Sequence, residues 1–309
     1  MEISSFSMEN DLQIAKQAKK LLPKVKVIFM GLANEMEKEE FVCQHSEVDY
    51  FLVGEYEDTL LELVQKIEKK EQFDSLLGCT FMRGDGSFSG FQRRPLQPDI
   101  NIYPWPSRDQ LPMLNYHDEP GNITTPSVQM WASRGCPFKC TYCQWPKVIN
   151  NGQYRARSAE NVIDELKQVK RVLGDNLGSI FFDDDTWNLG KRRIEQMCDG
   201  LKDLGVPWTM MGRIDTSKPE LYKKMVDSGC VGMRFGVETF NQELSNNVQK
   251  KLDTQKAHDN LKYIVNNFRD MEFHFTTMKN LPGEKPGSWE NEQKILKELA
   301  SMGRKNNNI

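Results

Sequence analysis

Beyond residue 126 the chain alternates short apolar runs of β character with longer stretches whose apolar positions recur every three or four residues. This patterning predicts a strand at 128–132, then a helix at 159–173 with Val162, Leu166, Val169 and Leu173 on one face and Ser158 as its N-cap. Strand 179–182, helix 192–204 and strand 208–211 follow. A further helix is predicted to open on Ser217-Lys218-Pro219-Glu220, an S-x-x-E capping box, and to stop near Gly229. Strand 231–237, a helix at 257–268, strand 273–278 and a helix at 289–301 complete the series. Strands alternating with helices in this way build parallel βα units, and five can be counted.

The amino-terminal pattern is shorter. A helix at 12–22 precedes a strand at 25–30 that ends in Gly31-Leu32-Ala33-Asn34. A strand at 50–53 then leads into a helix reaching about Lys69, with Leu60, Val64 and Ile67 on one face. This reads as the tail of a doubly wound, Rossmann-like α/β domain. Residues 83–125 hold six prolines, with Pro126 just beyond, but no periodicity, which predicts an inter-domain strap. The expected division is therefore 1–82, 83–125 and 126–309.

Composition narrows the class. At 309 residues, with 38% hydrophobic and 28% charged positions, a soluble two-domain protein is expected. The net charge of −3, with both signs interspersed, gives no surface for nucleic acid. No apolar run approaches the roughly 18 residues of a membrane span, and the first residues lack a secretory pattern. A cytoplasmic, non-transmembrane protein is the expectation. Seven cysteines, an odd count, argue against a disulfide framework. Cys43, Cys79, Cys198 and Cys230 lie in or near apolar runs and read as buried inert thiols. The Lys69-Lys70 and Lys250-Lys251 pairs read as solvated helix ends.

The chemistry concentrates in Arg134-Gly135-Cys136-Pro137-Phe138-Lys139-Cys140-Thr141-Tyr142-Cys143. Three thiolates at C-x₃-C-x₂-C spacing can each hold one iron of a cubane and leave the fourth iron open, as a catalytic site requires. Zinc with a remote fourth ligand such as Cys198, Cys230 or a histidine is the competing use, although structural zinc sites separate their cysteine pairs by longer stretches. Ionisable residues also mark the predicted strand ends, where parallel α/β folds place their sites: Asp183-Asp184-Asp185-Thr186, Arg213-Ile214-Asp215, Gly236-Val237-Glu238-Thr239 and Leu281-Pro282-Gly283-Glu284.

The cysteine run, with Gln144-Trp145-Pro146 behind it and this order of strand ends, resembles the radical S-adenosylmethionine (SAM) superfamily from residue 128 to 284. The resemblance implies a partial (β/α) barrel of about five of the family's six βα units. It further implies a [4Fe–4S] cluster on Cys136, Cys140 and Cys143, and SAM chelating the open iron. Tyr142 would then lie beside the adenine, Asp184 and Asp185 near the SAM amino group, and Glu238 at the ribose. Arg213 would meet the SAM carboxylate or a nearby acid, and Asp183 would be structural. Residues 48–57 resemble the closing segment of a cobalamin-binding domain. Cys143-Gln144-Trp145-Pro146 and Tyr154-Arg155-Ala156-Arg157-Ser158 resemble the branch with hopanoid-modifying enzymes and anaerobic magnesium-protoporphyrin ester cyclases.

The resemblance implies reductive SAM cleavage followed by methylation, cyclisation or rearrangement of a small-molecule, lipid-like or tetrapyrrole-like substrate, with flavodoxin or ferredoxin as electron donor. Neither His45 nor His117 sits in the Asp-x-His-x-x-Gly context of a cobalt ligand. Cobalamin binding is therefore expected of relatives more than of this chain, which reads as truncated at both ends. A methylthiotransferase, and a non-catalytic metal-binding or electron-transfer protein, are the competing expectations.

Overall fold

The computed structural model describes residues 1–4, 6–32, 34–115 and 124–302; Ala33, His117 and the tail at 304–308 lie outside them. The chain folds as two compact units, one comprising Met1–Pro98 and Cys143–Gln153, the other Asp99–Tyr142 and Tyr154–Ile309. The proline-rich segment is therefore no separate strap. Its first part belongs to the first unit, and its remaining described residues belong to the second.

In the first unit, β1 (Glu2–Ser4), β2 (Ile28–Leu32), β3 (Tyr50–Leu52) and β4 (Cys79–Thr80) form a sheet in that order, the first three parallel and β4 antiparallel. Helices α1 (Met8–Leu21), α2 (Glu39–Gln44) and α3 (Glu57–Lys69) accompany them, and a single turn, α4 (Trp145–Val148), follows the third cysteine. Neighbouring residues of β3 face opposite ways, Phe51 into a cluster with Phe29 and Val42, Leu52 into one with Leu63 and Phe81. The sheet is thus covered on both faces, as parallel strands require, and its strand order follows chain order, without the reversal that marks a doubly wound sheet. The sequence pattern missed β1, which holds one buried apolar residue, Ile3. That strand explains Gly31, since a Cβ there would lie 2.3 Å from the Ile3 carbonyl oxygen. On α3 the buried positions are Thr59 and Leu63, whereas Val64 is exposed, which shifts the expected face by one residue.

The second unit is built on five parallel strands in the order β11-β10-β9-β8-β5: β5 (Ser127–Met130), β8 (Ser179–Phe182), β9 (Trp208–Gly212), β10 (Cys230–Glu238) and β11 (Glu272–Thr277). A short antiparallel pair, β6 (Ser133–Arg134) and β7 (Arg155–Ala156), flanks the cysteine loop in sequence. The intervening helices are α5 (Ala159–Leu173), α6 (Lys191–Leu204), α7 (Pro219–Asp227), α8 (Gln242–Asn247), α9 (Thr254–Asn267) and α10 (Ser288–Met302). Strand order follows chain order, and residues of α5, α6, α7, α9 and α10 share one core with Met130, Phe182, Met210, Met233, Phe235 and Val237. Sequential parallel strands with helices against one face form the wall of a (β/α) barrel, whereas a doubly wound sheet reverses its order. Phe182, Trp187 and Trp208 pack with centroids 5.0–5.8 Å apart at the centre, each fully buried side chain contributing roughly 1.5–3 kcal/mol.

Two local expectations divide. Ser158 does cap α5, accepting from the Asn161 N–H at 3.1 Å. The Ser217 capping box does not form: α7 opens at Pro219 without a side-chain cap, and the buried Ser217 hydroxyl instead accepts from Asn188 Nδ2 at 3.2 Å. The 99–115 segment is fastened by Arg108, which donates to Glu165 at 2.6 Å; Arg157 pairs with the other oxygen of Glu165 at 2.6 Å. Of the four cysteines read as buried, Cys79, Cys198 and Cys230 are so, and Cys43 is exposed.

Candidate active site

Because the sheet is parallel, the ends of β5, β8, β9 and β10 lie on one rim. The loop after β5 is rooted by Asp184, which follows β8. This residue is fully buried, and its carboxylate accepts from the Ala132 N–H at 3.0 Å and from the Ser133 hydroxyl. Burial pushes its pKa up to about 6, against the opposing pull of those hydrogen bonds. Next to it Asp185 is exposed; desolvation raises its pKa and a hydrogen bond from the Gly135 backbone opposes the rise. Thr186 Oγ1 stands 3.3 Å from Cys136 Sγ. Successive residues after β8 thus hold the start of the cysteine loop.

The end of that loop is held by the α8–α9 connection. The Thr141 N–H donates to the Val248 carbonyl at 2.9 Å. Two residues on, Lys250 Nζ donates to Tyr142 Oη at 3.4 Å and to Glu238 Oε1 at 3.1 Å. Lys250 is flanked by Gln249 and Lys251, both in the left-handed region (φ 53° and 50°), a conformation that costs energy in non-glycine residues. Glu238 shares that region (φ 66°), at a register shift where β10 leaves β11. Burial, with Glu238 and Cys140 close by, pushes the Tyr142 phenol well above its ordinary range.

Arg213 sits beneath this group. It pairs with Asp215 through two bonds, 2.7 and 3.0 Å, donates to the Lys250 carbonyl at 2.8 Å and stacks 3.9 Å from the Phe138 ring centroid. Asn188 accepts from its N–H and donates to its carbonyl. Of the two partners expected for Arg213, the structure supplies the nearby acid.

The rim therefore gathers Tyr142, Arg213 and Glu238 around Lys250, and Asp184 and Asp185 around the loop's start. Two readings change. Lys250, expected to be solvated, is buried and central. Asp184, expected to face a ligand, spends both oxygens on the loop backbone and Ser133. Sequence reasoning missed Lys250, Ser133, Thr186, Phe138 and Asn188; a lysine beside an exposed Lys251 carries no periodic signal of burial. Glu284 bonds the Leu281 N–H within its own loop.

Cys136, Cys140 and Cys143 are each partly exposed and free of disulfides, whereas Cys79, Cys198 and Cys230 are buried. Among the described residues no three His, Cys, Asp or Glu side chains gather closely enough to hold one metal ion. Three accessible thiols within eight residues suit a polynuclear cluster, where each thiolate takes a different iron. Buried carboxylate pairing and an anchored phenol beside them suit a polar organic ligand.

Residues 132–295 match the family described as the radical SAM superfamily. The chain belongs to that superfamily, a class of enzymes that use a [4Fe–4S] cluster and SAM. Among similar proteins is an uncharacterised methyltransferase of Pyrococcus horikoshii, 29% identical over 84% of this chain and 55% of the relative. The anaerobic magnesium-protoporphyrin IX monomethyl ester cyclase of Rubrivivax gelatinosus is 23% identical over 77% of this chain and 42% of its own. The radical SAM methyltransferase TsrM of Kitasatospora setae, solved with cobalamin and a [4Fe–4S] cluster bound, superposes with a TM-score of 0.71 at 15% identity, covering 95% of this chain and 56% of that one. The chain spans about half the length of the curated relatives it matches. The expected branch is thus the one found, and the parallel α/β fold is shared. Among the described residues no helix is long and apolar enough to cross a membrane.

Proposed function

We propose that this chain carries the catalytic core of a radical SAM enzyme that cleaves SAM reductively and directs the product radical to a C–H bond of a small-molecule, lipid-like or tetrapyrrole-like substrate. The observation that carries the reading is the loop with its three accessible thiols, rooted at one end by Asp184 and at the other by Val248 and Lys250. Cys136, Cys140 and Cys143 would hold the cluster. Cluster and SAM, when bound, supply one-electron chemistry that the side chains cannot.

The chain's own part is positioning. Glu238, one oxygen anchored by Lys250, would accept from the ribose hydroxyls, and Tyr142, tied through its hydroxyl, would lie against the adenine. Asp185 is better placed than Asp184 for the SAM ammonium, because it is exposed and Asp184 is spent on the loop; a charge-assisted bond there is among the stronger kind. Arg213 would act as a brace between Asp215, Lys250 and Phe138. The electron would come from a flavodoxin or ferredoxin. The first unit would be the part related to cobalamin-binding domains, and methylation, cyclisation or rearrangement the outcome. Binding of SAM to the anaerobically reconstituted chain, with Cys140→Ala as control, tests the reading.

A further inference from the structure

The helices of the second unit bury Met233, Phe235 and Val237 of β10, so Gly232, Arg234, Gly236 and Glu238 face the other way. Register sets Arg234 between Met211 of β9 and His274 of β11, and Gly236 beside Thr276. The guanidinium of Arg234 reaches across β9 to lie 5.8 Å from the Phe181 ring of β8. Its Nε is buried without a hydrogen-bond partner, and so is the hydroxyl of Thr209, a residue 4% exposed and in register with Gly232. Among the described residues Arg234 joins no ion pair, although Glu272 stands on the same face beside Gly232. His274 and Thr276 are exposed.

This row is continuous with the site above it. A Cβ at Gly236 would lie 2.7 Å from Glu238 Oε1 and 3.0 Å from Lys250 Nζ, so glycine is what lets Arg234 and the Glu238–Lys250 pair share one face. The Arg234 Nε is sealed from water, the residue is half-buried, and no anion among the described residues pairs with it; its planar fork matches carboxylate and phosphate oxygens.

We infer that this face binds the substrate through an anionic group, a carboxylate or a phosphate, gripped by Arg234 with His274, Thr276 and Thr209 supplying neighbouring polar contacts. The inference rests on the radical SAM reading of the rim for its assignment to substrate. It specifies that the substrate is an oxyanion and that its charged end lies along β10 below the SAM contacts.

The test uses the full reconstituted chain with saturating SAM, so that the SAM carboxylate does not compete. Inorganic phosphate is titrated by ³¹P NMR line broadening and acetate by saturation-transfer NMR; the arm that binds identifies the oxyanion. The expected result is binding of at least one probe that weakens about tenfold or more in Arg234→Met, as loss of a charged hydrogen-bond partner implies, and severalfold in His274→Gln, with SAM affinity within about twofold of wild type. Arg234→Lys keeps the charge without the fork and covers the case in which Arg234→Met does not fold. Wild-type protein that binds SAM but neither probe, or variants that bind the probes as wild type does, would overturn the inference alone. Wild-type protein that fails to bind SAM would overturn the functional reading, and with it the assignment of this face to substrate.

Discussion

Lys250 Nζ lies 3.1 Å from Glu238 Oε1, with both residues more than nine-tenths buried. Removing one partner strands the other as an uncompensated buried charge, which costs about 3–5 kcal/mol. Lys250→Met is therefore expected to lower unfolding stability by that amount in urea melts of the apo chain and to weaken SAM binding after reconstitution. Unchanged stability would mean that the pair does not form.

Burial of Asp184 makes the stability of the fold depend on pH. Its folded pKa, about 6, lies above its ordinary value of 3.8 because burial disfavours the charge. The folded state thus binds the proton more tightly than the unfolded one, so this residue's contribution is fully present below about pH 4 and is lost as pH rises through 6. The melting temperature of wild type minus that of Asp184→Asn should fall between pH 4 and pH 6 and level off above. A flat difference would contradict the burial of this carboxyl. The same variant weakens the root of the cysteine loop, and its iron content should drop.

Glu165 holds Arg108 and Arg157 at 2.6 Å each. Glu165→Gln leaves two guanidinium groups short of their anion and is expected to destabilise the second unit by about 3–5 kcal/mol. Limited proteolysis should then cut within 99–115, where Arg108 no longer anchors the chain; protection equal to wild type would show that other contacts hold that segment.

If Glu238 takes the ribose and Asp185 the amino group, Glu238→Ala and Asp185→Ala should retain iron and bind SAM about 10- to 150-fold more weakly, the equivalent of roughly 1.5–3 kcal/mol per charged hydrogen bond. Isothermal titration under anaerobic conditions measures this. Full affinity in both variants would reassign the rim.

The parallel core was legible because period-two and period-3.6 patterns alternate cleanly from Val128 to Leu299, and the cysteine spacing carries its own chemistry. What escaped was tertiary. Met1-Glu2-Ile3-Ser4 is too short to show alternation, yet pairing with β2 makes it a strand. The capping box of Ser217 lost to a competing use of its hydroxyl by Asn188, and α3 rotated its buried face onto Leu63 because Thr59 bonds the Leu77 carbonyl. Lys250 was unreadable for a different reason: its burial depends on left-handed backbone at its two neighbours and on partners 12 and 108 residues distant.

An open iron on three cysteines would show itself in the EPR spectrum of the reduced, anaerobically reconstituted chain. The expected result is about four irons per chain, as a cubane requires, a reduced-cluster signal that shifts on adding SAM, loss of that signal in Cys140→Ala and its survival in Cys198→Ala. Zinc retained without iron uptake, or a cluster signal indifferent to SAM, would contradict it.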